Sequence, residues 1–364
     1  MKKSVLFSLL AAGSILSMSV AHAAPLDALL TANKKTTPGS FEIEASYDVM
    51  NSTVDIFDIR DNDEEFAGTN VGDYHGAHIR GGVALTPSLW LDGALWKRRI
   101  DYRQDEGELD SWQIGAQYKL FDALGVRPAM AVRLGLWGNS ADNLSKTSPT
   151  RVQGVTLDSV NVQDGEDRQV QFDLIASWPV RDSMEVTAFA GAGVSETEID
   201  SISGTASRDG CNYNLAFGRD KVVGTLAEPC GASVVVERFA LRNSAFGVDV
   251  YGETEYKARY LHAGFSGKWT GGPWQIRAGY QYQRLNRDDI DDIIERRGGS
   301  AYKSNHVVVG EIAYRVLKNV SLFGRGQYMS NQFVGEIPLA YNTFTARRFD
   351  KHYGIVSAGI VIDF

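Results

Sequence analysis

The sequence predicts an all-β chain that closes into a transmembrane antiparallel β-barrel of about twelve strands, with fourteen as the alternative. Three observations carry that expectation. Apolar residues recur with period two rather than with the three-and-four spacing of a helix. The connections between these segments alternate between short and long. The final stretch HYGIVSAGIVIDF (352–364) keeps alternating to its end, placing Val356, Ala358, Ile360, Ile362 and Phe364 on one face.

The chain opens MKKSVLFSLLAAGSILSMSVAHA, with two lysines, a short apolar run and Ala21-His22-Ala23. Those are the three regions of a secretory signal peptide, so residues 1–23 are expected to be removed after Ala23. The net charge is −8, the wrong sign for electrostatic capture of nucleic acid. Mean hydropathy is −0.21, and no run after residue 23 approaches the ~18 apolar residues of a membrane helix. Lipid-facing and lumen-facing residues average to such a value in a barrel, and 37 glycines with 10% aromatics suit one.

Residues 24–40 are expected as a short periplasmic segment, with entry into the lumen as the alternative, and 41–364 as the barrel. The expected strands are 41–49, 76–86, 89–101, 111–121, 126–137, 168–178, 184–194, 251–269, 274–285, 304–316, 319–330 and 351–364. The third fits two parities: Leu89, Leu91 and Leu95 outward, or Trp90, Ala94 and Trp96 outward. The fourth sets Trp112, Ile114, Ala116, Tyr118 and Leu120 against Gln113, Gly115, Gln117 and Lys119. The sixth sets Val170, Phe172, Leu174, Ala176 and Trp178 against Gln171, Asp173, Ile175 and Ser177. In the eighth one parity runs from Phe246 to Tyr260 and then switches toward Phe265 and Trp269, as a bulge allows. The ninth sets Trp274, Ile276, Ala278, Tyr280 and Tyr282 against Gln275, Arg277, Gly279, Gln281 and Gln283. Aromatics cluster near strand ends, where interfacial girdles belong.

TPS, DALG, PVRDS, TGGP and LKN form the short turns, and Pro87, Pro179 and Pro273 lie in or beside them, clear of strand centres. The long loops are 50–75, 138–168, 195–250, 286–303 and 332–350. ASVVVERFAL (232–241) could add a strand, which is the source of the fourteen-strand alternative. An even number puts both ends on the periplasmic side and lets the last strand pair with the first, removing any edge from hydrocarbon.

With its terminal strand ending on Phe364, the chain resembles the Gram-negative outer-membrane β-barrel proteins, porin-like ones included. The resemblance implies an outer-membrane location and recognition of the last strand, with Phe364, by the barrel-insertion machinery. Outer-membrane lipid and lipopolysaccharide are the expected surroundings.

By parity the lumen face carries Glu44, Arg80, Arg133, Asp173, Arg259, Arg277, Glu311, Arg315 and Arg325. So many charges are too costly for a dry core unless paired. They imply a water-filled pore or a dense ion-pair network. Six arginines against three acids favour a weak anion preference. Against this, Asp55, Asp58, Asp61, Asp63, Glu64, Glu65 and Asp73 face only Arg60 at an acidic outer mouth. The expected function is passive diffusion of small hydrophilic solutes. The alternative is a surface barrel whose loops act as adhesin or receptor, and an enzyme comes third.

Cys211 and Cys230, the two cysteines, are expected to form a disulfide in the longest loop, as suits an exported protein. No cofactor or metal site is expected: DDIDDIIE (288–295) lacks the spacing of a calcium loop, and a solvated loop is the better reading. For catalysis, His262 is placed outward with Ser266 four residues away, ~13 Å along a strand and beyond hydrogen-bond reach. His75 and His78 beside Asp73 read as loop residues. There is no G-x-S-x-G elbow.

Overall fold

The computed structural model describes residues 26–51, 71–102, 105–146, 150–152, 155–231, 235–243, 250–296, 299–331, 333–343 and 351–364. The leader expected over 1–23 and most of the acidic stretch 50–75 lie outside the described residues. In the first half the strands are β1 (Phe41–Asn51), β2 (Val71–Ala84), β3 (Leu89–Tyr102), β4 (Asp105–Phe121), β5 (Ala129–Lys146), β6 (Thr150–Val152), β7 (Val155–Arg181) and β8 (Met184–Arg208). The second half adds β9 (Cys211–Phe217), β10 (Lys221–Leu226), β11 (Arg238–Arg242), β12 (Tyr256–Gly271), β13 (Trp274–Arg287), β14 (Ser304–Leu317), β15 (Val320–Asn331) and β16 (Lys351–Asp363).

Twelve of them, all but β6, β9, β10 and β11, close an antiparallel barrel. The seam is the pairing of β1 with β16, which sets Glu42 opposite Asp363. There the Phe364 N–H donates to Phe41 O at 3.1 Å, and the two rings pack with centroids 5.3 Å apart. Outward positions form an apolar band that includes Ile79, Leu95, Ile114, Leu134, Phe172, Leu261 and Ile312, all exposed. In water such a band is untenable, and in a bilayer it is the lipid face. No helix among the described residues is long and apolar enough to cross a membrane.

The two ambiguous strands are resolved. In β3 Trp90 and Trp96 are buried inside and Leu95 points out. In β12 the expected switch of parity is absent, because its register with β8 and β13 runs unbroken. Tyr256, Ala258, Tyr260 and His262 therefore face inward, and Arg259 faces out beside the exposed Leu261. The error lay in reading Tyr256 and Tyr260 as lipid-facing aromatics, when the upper lumen is itself apolar. The chain before β12 is a short helix, Val250–Thr254, rather than strand.

The loop segment 238–242 is a strand, yet it pairs only with β10, in a ribbon that continues β8 through β9. It adds nothing to the wall, so the barrel has twelve strands rather than fourteen. Cys211 and Cys230 form the disulfide there, with Cα atoms 5.2 Å apart. Ile202, Tyr213, Leu215, Phe217 and Val222 pack into a small core of their own in this ribbon.

The main hydrophobic cluster lies inside the barrel. Wall residues Tyr256, Leu285, Val307, Met329 and Tyr353 meet two segments that are not wall: Leu26, Ala28 and Leu29 near the N-terminus, and Phe333, Ile337 and Tyr341 between β15 and β16.

Candidate functional site: a filled lumen

The period-two pleat aims alternate side chains of every wall strand at the axis, and in the middle of the barrel those side chains are charged. Arg277 Nε donates to Glu311 Oε1 at 2.9 Å. Arg325 bridges Glu311 at 2.8 Å and Glu44 at 3.1 Å. Glu44 in turn lies 2.9 Å from His78 Nε2, whose Nδ1 contacts Asp48. This chain of pairs crosses from β13 to β2 through the seam. Opposite it, Arg133 makes a two-pronged contact with Asp92 at 2.6 and 2.7 Å, and His262 Nε2 lies 2.6 Å from Asp173 Oδ1.

Of the nine residues placed on the lumen face by parity, Glu44, Arg80, Arg133, Asp173, Arg277, Glu311 and Arg325 are buried there. Arg315 is exposed and borders the cavity at the short-turn end. Arg259 does not belong, for the reason given by β12. His262 is likewise corrected: it faces Asp173 in the lumen, and Ser266 on the same face donates to Leu30 O at 3.0 Å. His78 is a lumen residue rather than a loop one, while His75 is exposed.

Period two already reaches Glu42 and Asp48, two and four residues from Glu44, and both are buried inside. Asp92 and Arg98 became visible only with the parity of β3. Asp167 and Glu185 complete the acids missed on the lumen face. With these present, six arginines no longer outnumber the carboxylates, and the basis for an anion preference is lost.

For residues 24–40, described from Leu26, the alternative expectation holds. The expected periplasmic segment instead enters the barrel, with Leu26, Ala28, Leu29, Leu30 and Ala32 all buried. Its backbone is gripped by wall side chains. The Ala32 N–H donates to Ser177 Oγ at 2.9 Å, Gln117 Nε2 donates to Thr31 O at 2.9 Å, and Ser266 holds Leu30 O. Thr31 and Asn33 both donate to Glu185, at 2.6 and 2.8 Å. Lys35 closes the set on Asp363 at 2.7 Å. Gly279 of β13 has no side chain where Ala28 O passes, and a Cβ there would overlap that oxygen. The sequence signal is the mostly apolar stretch LDALL (26–30), well ahead of the first strand at Phe41.

A second segment fills the half of the barrel on the long-loop side. Leu339 N–H donates to Asp167 at 2.9 Å, Tyr256 OH donates to Pro338 O at 2.7 Å, and Asn305 holds Val334 O at 2.8 Å. Arg287 stacks over Tyr341, 4.2 Å from the ring centroid. Burial lifts the Tyr341 phenol above its usual range. The described lumen keeps cavities of about 240 Å³ toward the short-turn end and about 70 Å³ beside Asp27. The segment 288–295 is largely a short helix, Ile290–Arg296. Among the described residues no group of three or more His, Cys, Asp or Glu could hold a metal ion.

No family model matches the chain, and no curated protein matches it. Among solved structures it is similar to the translocator domain of autotransporter NalP from Neisseria meningitidis, at 11% identity over 90% of this chain and 89% of that one, with a TM-score of 0.48. It is similar to the CymD monoaromatic hydrocarbon channel at 9% identity over 90% and 89%, TM-score 0.39. The KdgM porin follows at 9% identity over 88% and 99%, TM-score 0.35.

Proposed function

We propose that the protein is a channel of the Gram-negative outer membrane for small hydrophilic solutes, held closed by its own N-terminal segment. One observation carries this reading: the lumen encloses a separate length of backbone, Leu26–Ala32, rather than being filled by wall side chains alone. Eight-stranded barrels fill their interior with side chains, and twelve strands leave a wider space. A barrel needing only a solid core would not require a removable one. The strap is joined to the wall by polar contacts that water or a solute can replace. The segment 333–341 narrows the same path from the other side.

The charge balance of the wall gives no preference between anions and cations, so size and the mobility of the strap set what passes. Planar-bilayer conductance tests the reading. The intact protein should be closed with brief openings. Removal of residues 24–36, or Gly279→Val or Glu185→Ala in the full chain, should raise the open fraction at least tenfold. If the deletion remains silent even when 333–341 is replaced by a glycine-serine linker, in correctly folded barrels, the channel reading fails.

A further inference from the structure

The smaller cavity lies where the strap meets the ion-pair belt. Arg80 and Arg98 flank Trp96, their guanidinium carbons 5.3 and 5.5 Å from its ring centroid, and Trp137 packs on Trp96 at 5.0 Å. All four border the cavity. Two of the donors on this wall are unused: Arg80 Nε and Trp137 Nε1 are buried with no hydrogen-bond partner. Both residues are more than nine-tenths buried, at 7% and 3% exposure.

The acids on the same cavity are already occupied. Asp48 is held by His78 and by Ser46 at 2.9 Å, and Glu336 by Arg98 at 3.7 Å and Tyr353 at 3.4 Å. On the wall side of the cavity, what remains to be satisfied is donors. Into this space the strap delivers a carboxylate. Asp27 Oδ1 accepts the Leu29 N–H at 2.8 Å, while Oδ2 is buried without a partner. Asp27 thus borders the same cavity as these donors, with no hydrogen bond to either and without the two-pronged contact that Arg133 makes with Asp92.

We propose that this pocket is a carboxylate-binding site of the channel, in which Asp27 of the strap stands in for the carboxylate of a small organic acid. A solute carboxylate would meet the Arg80 guanidinium and the Trp137 indole N–H, with its flat or apolar body on the tryptophan side. A planar two-oxygen acceptor matches a guanidinium better than a single-atom anion does. Binding there competes with Asp27, so the solute that is carried also helps to release the strap. The proposal rests on the closed-channel reading, because the pocket opens only as the strap withdraws.

The test uses the refolded full chain in detergent with benzoate as probe and benzamide as its uncharged counterpart, read by tryptophan fluorescence and calorimetry. Asp27→Asn removes the internal competitor and should tighten benzoate binding at least tenfold, with no matching gain for benzamide. In that background Arg80→Gln should reverse the gain, and Trp137→Phe, which keeps the ring and loses only the N–H donor, should reverse part of it. Equal binding of benzoate and benzamide, or a gain that survives both substitutions, overturns the proposal. Binding needs no conduction, so a barrel that selects benzoate but never conducts would sink the channel reading alone.

Discussion

Arg133 is 1% exposed, and both prongs of its guanidinium rest on Asp92, buried on β3 and reached over Gly115 of the intervening β4. Removing one member of a buried pair strands the other, at a cost of about 3–5 kcal/mol. Arg133→Ala is therefore expected to lower the unfolding free energy of the refolded protein, from urea titration read by tryptophan fluorescence, by that amount. Arg133→Met with Asp92→Leu should recover most of the loss, since the pair's attraction largely offsets its desolvation. A single variant as stable as the parent would show that the contact is not a closed pair. The orientation of Arg133 was legible from period two alone. Its partner was not, because LWLDGALWKRR carries large apolar residues on both faces and either parity buries some of them. Arg259 failed for a related reason: Tyr256 and Tyr260 looked like a lipid girdle, and only the apolar plug inside explains why aromatics turn inward there.

At the scale of elements, the strap is held by a near balance. Burying Leu26, Leu29 and Leu30 is worth roughly 5–9 kcal/mol. The six polar contacts made by Leu30, Thr31, Ala32, Asn33 and Lys35 add about 3–9 kcal/mol. Ordering the nine residues 26–34 costs about 9–18 kcal/mol. Extending the ordered stretch to Lys35, whose contact is counted, brings the cost to about 10–20 kcal/mol, so the terms still nearly cancel, as a displaceable closure requires. Nothing periodic marks so short an irregular segment, so its place was open in the sequence even though LDALL declared it apolar. The disulfide ribbon is the opposite case, a pairing legible from two cysteines in one long loop. Its closure over the 19-residue separation should contribute about 3 kcal/mol to the ribbon. With Cys211→Ser and Cys230→Ser together, trypsin should cut at Arg219, Lys221 or Arg238 several times faster. The wall should keep its heat-modifiable mobility on a gel, because β9, β10 and β11 lie outside the closed sheet. Loss of the barrel itself would mean that the ribbon supports the wall.

For the whole molecule the decisive contact is closure, and the pairing of last strand with first was its most legible feature: about twelve alternating segments, short turns on one side, and alternation kept to Phe364. Barrel closure joins residues more than three hundred positions apart, Glu42 with Asp363, so β1 must wait for β16 and assembly depends on the final strand. Phe364 contributes to this seam through its N–H bond to Phe41 O and the ring contact with Phe41. Such a ring pair is worth about 0.5–1.5 kcal/mol, small for a wall held by backbone pairing along twelve strands. Phe364→Ala should therefore refold in detergent with nearly the parent's yield and urea midpoint. In cells the same change should sharply lower the amount of assembled barrel in the outer membrane, if Phe364 is read by the insertion machinery as the resemblance implies. The two measurements separate recognition from stability, since equal losses in both would assign Phe364 to the seam alone. Restoring an aromatic as Phe364→Tyr sharpens the distinction, because it keeps the ring packing on Phe41 and changes only what a receptor for the terminal residue would meet.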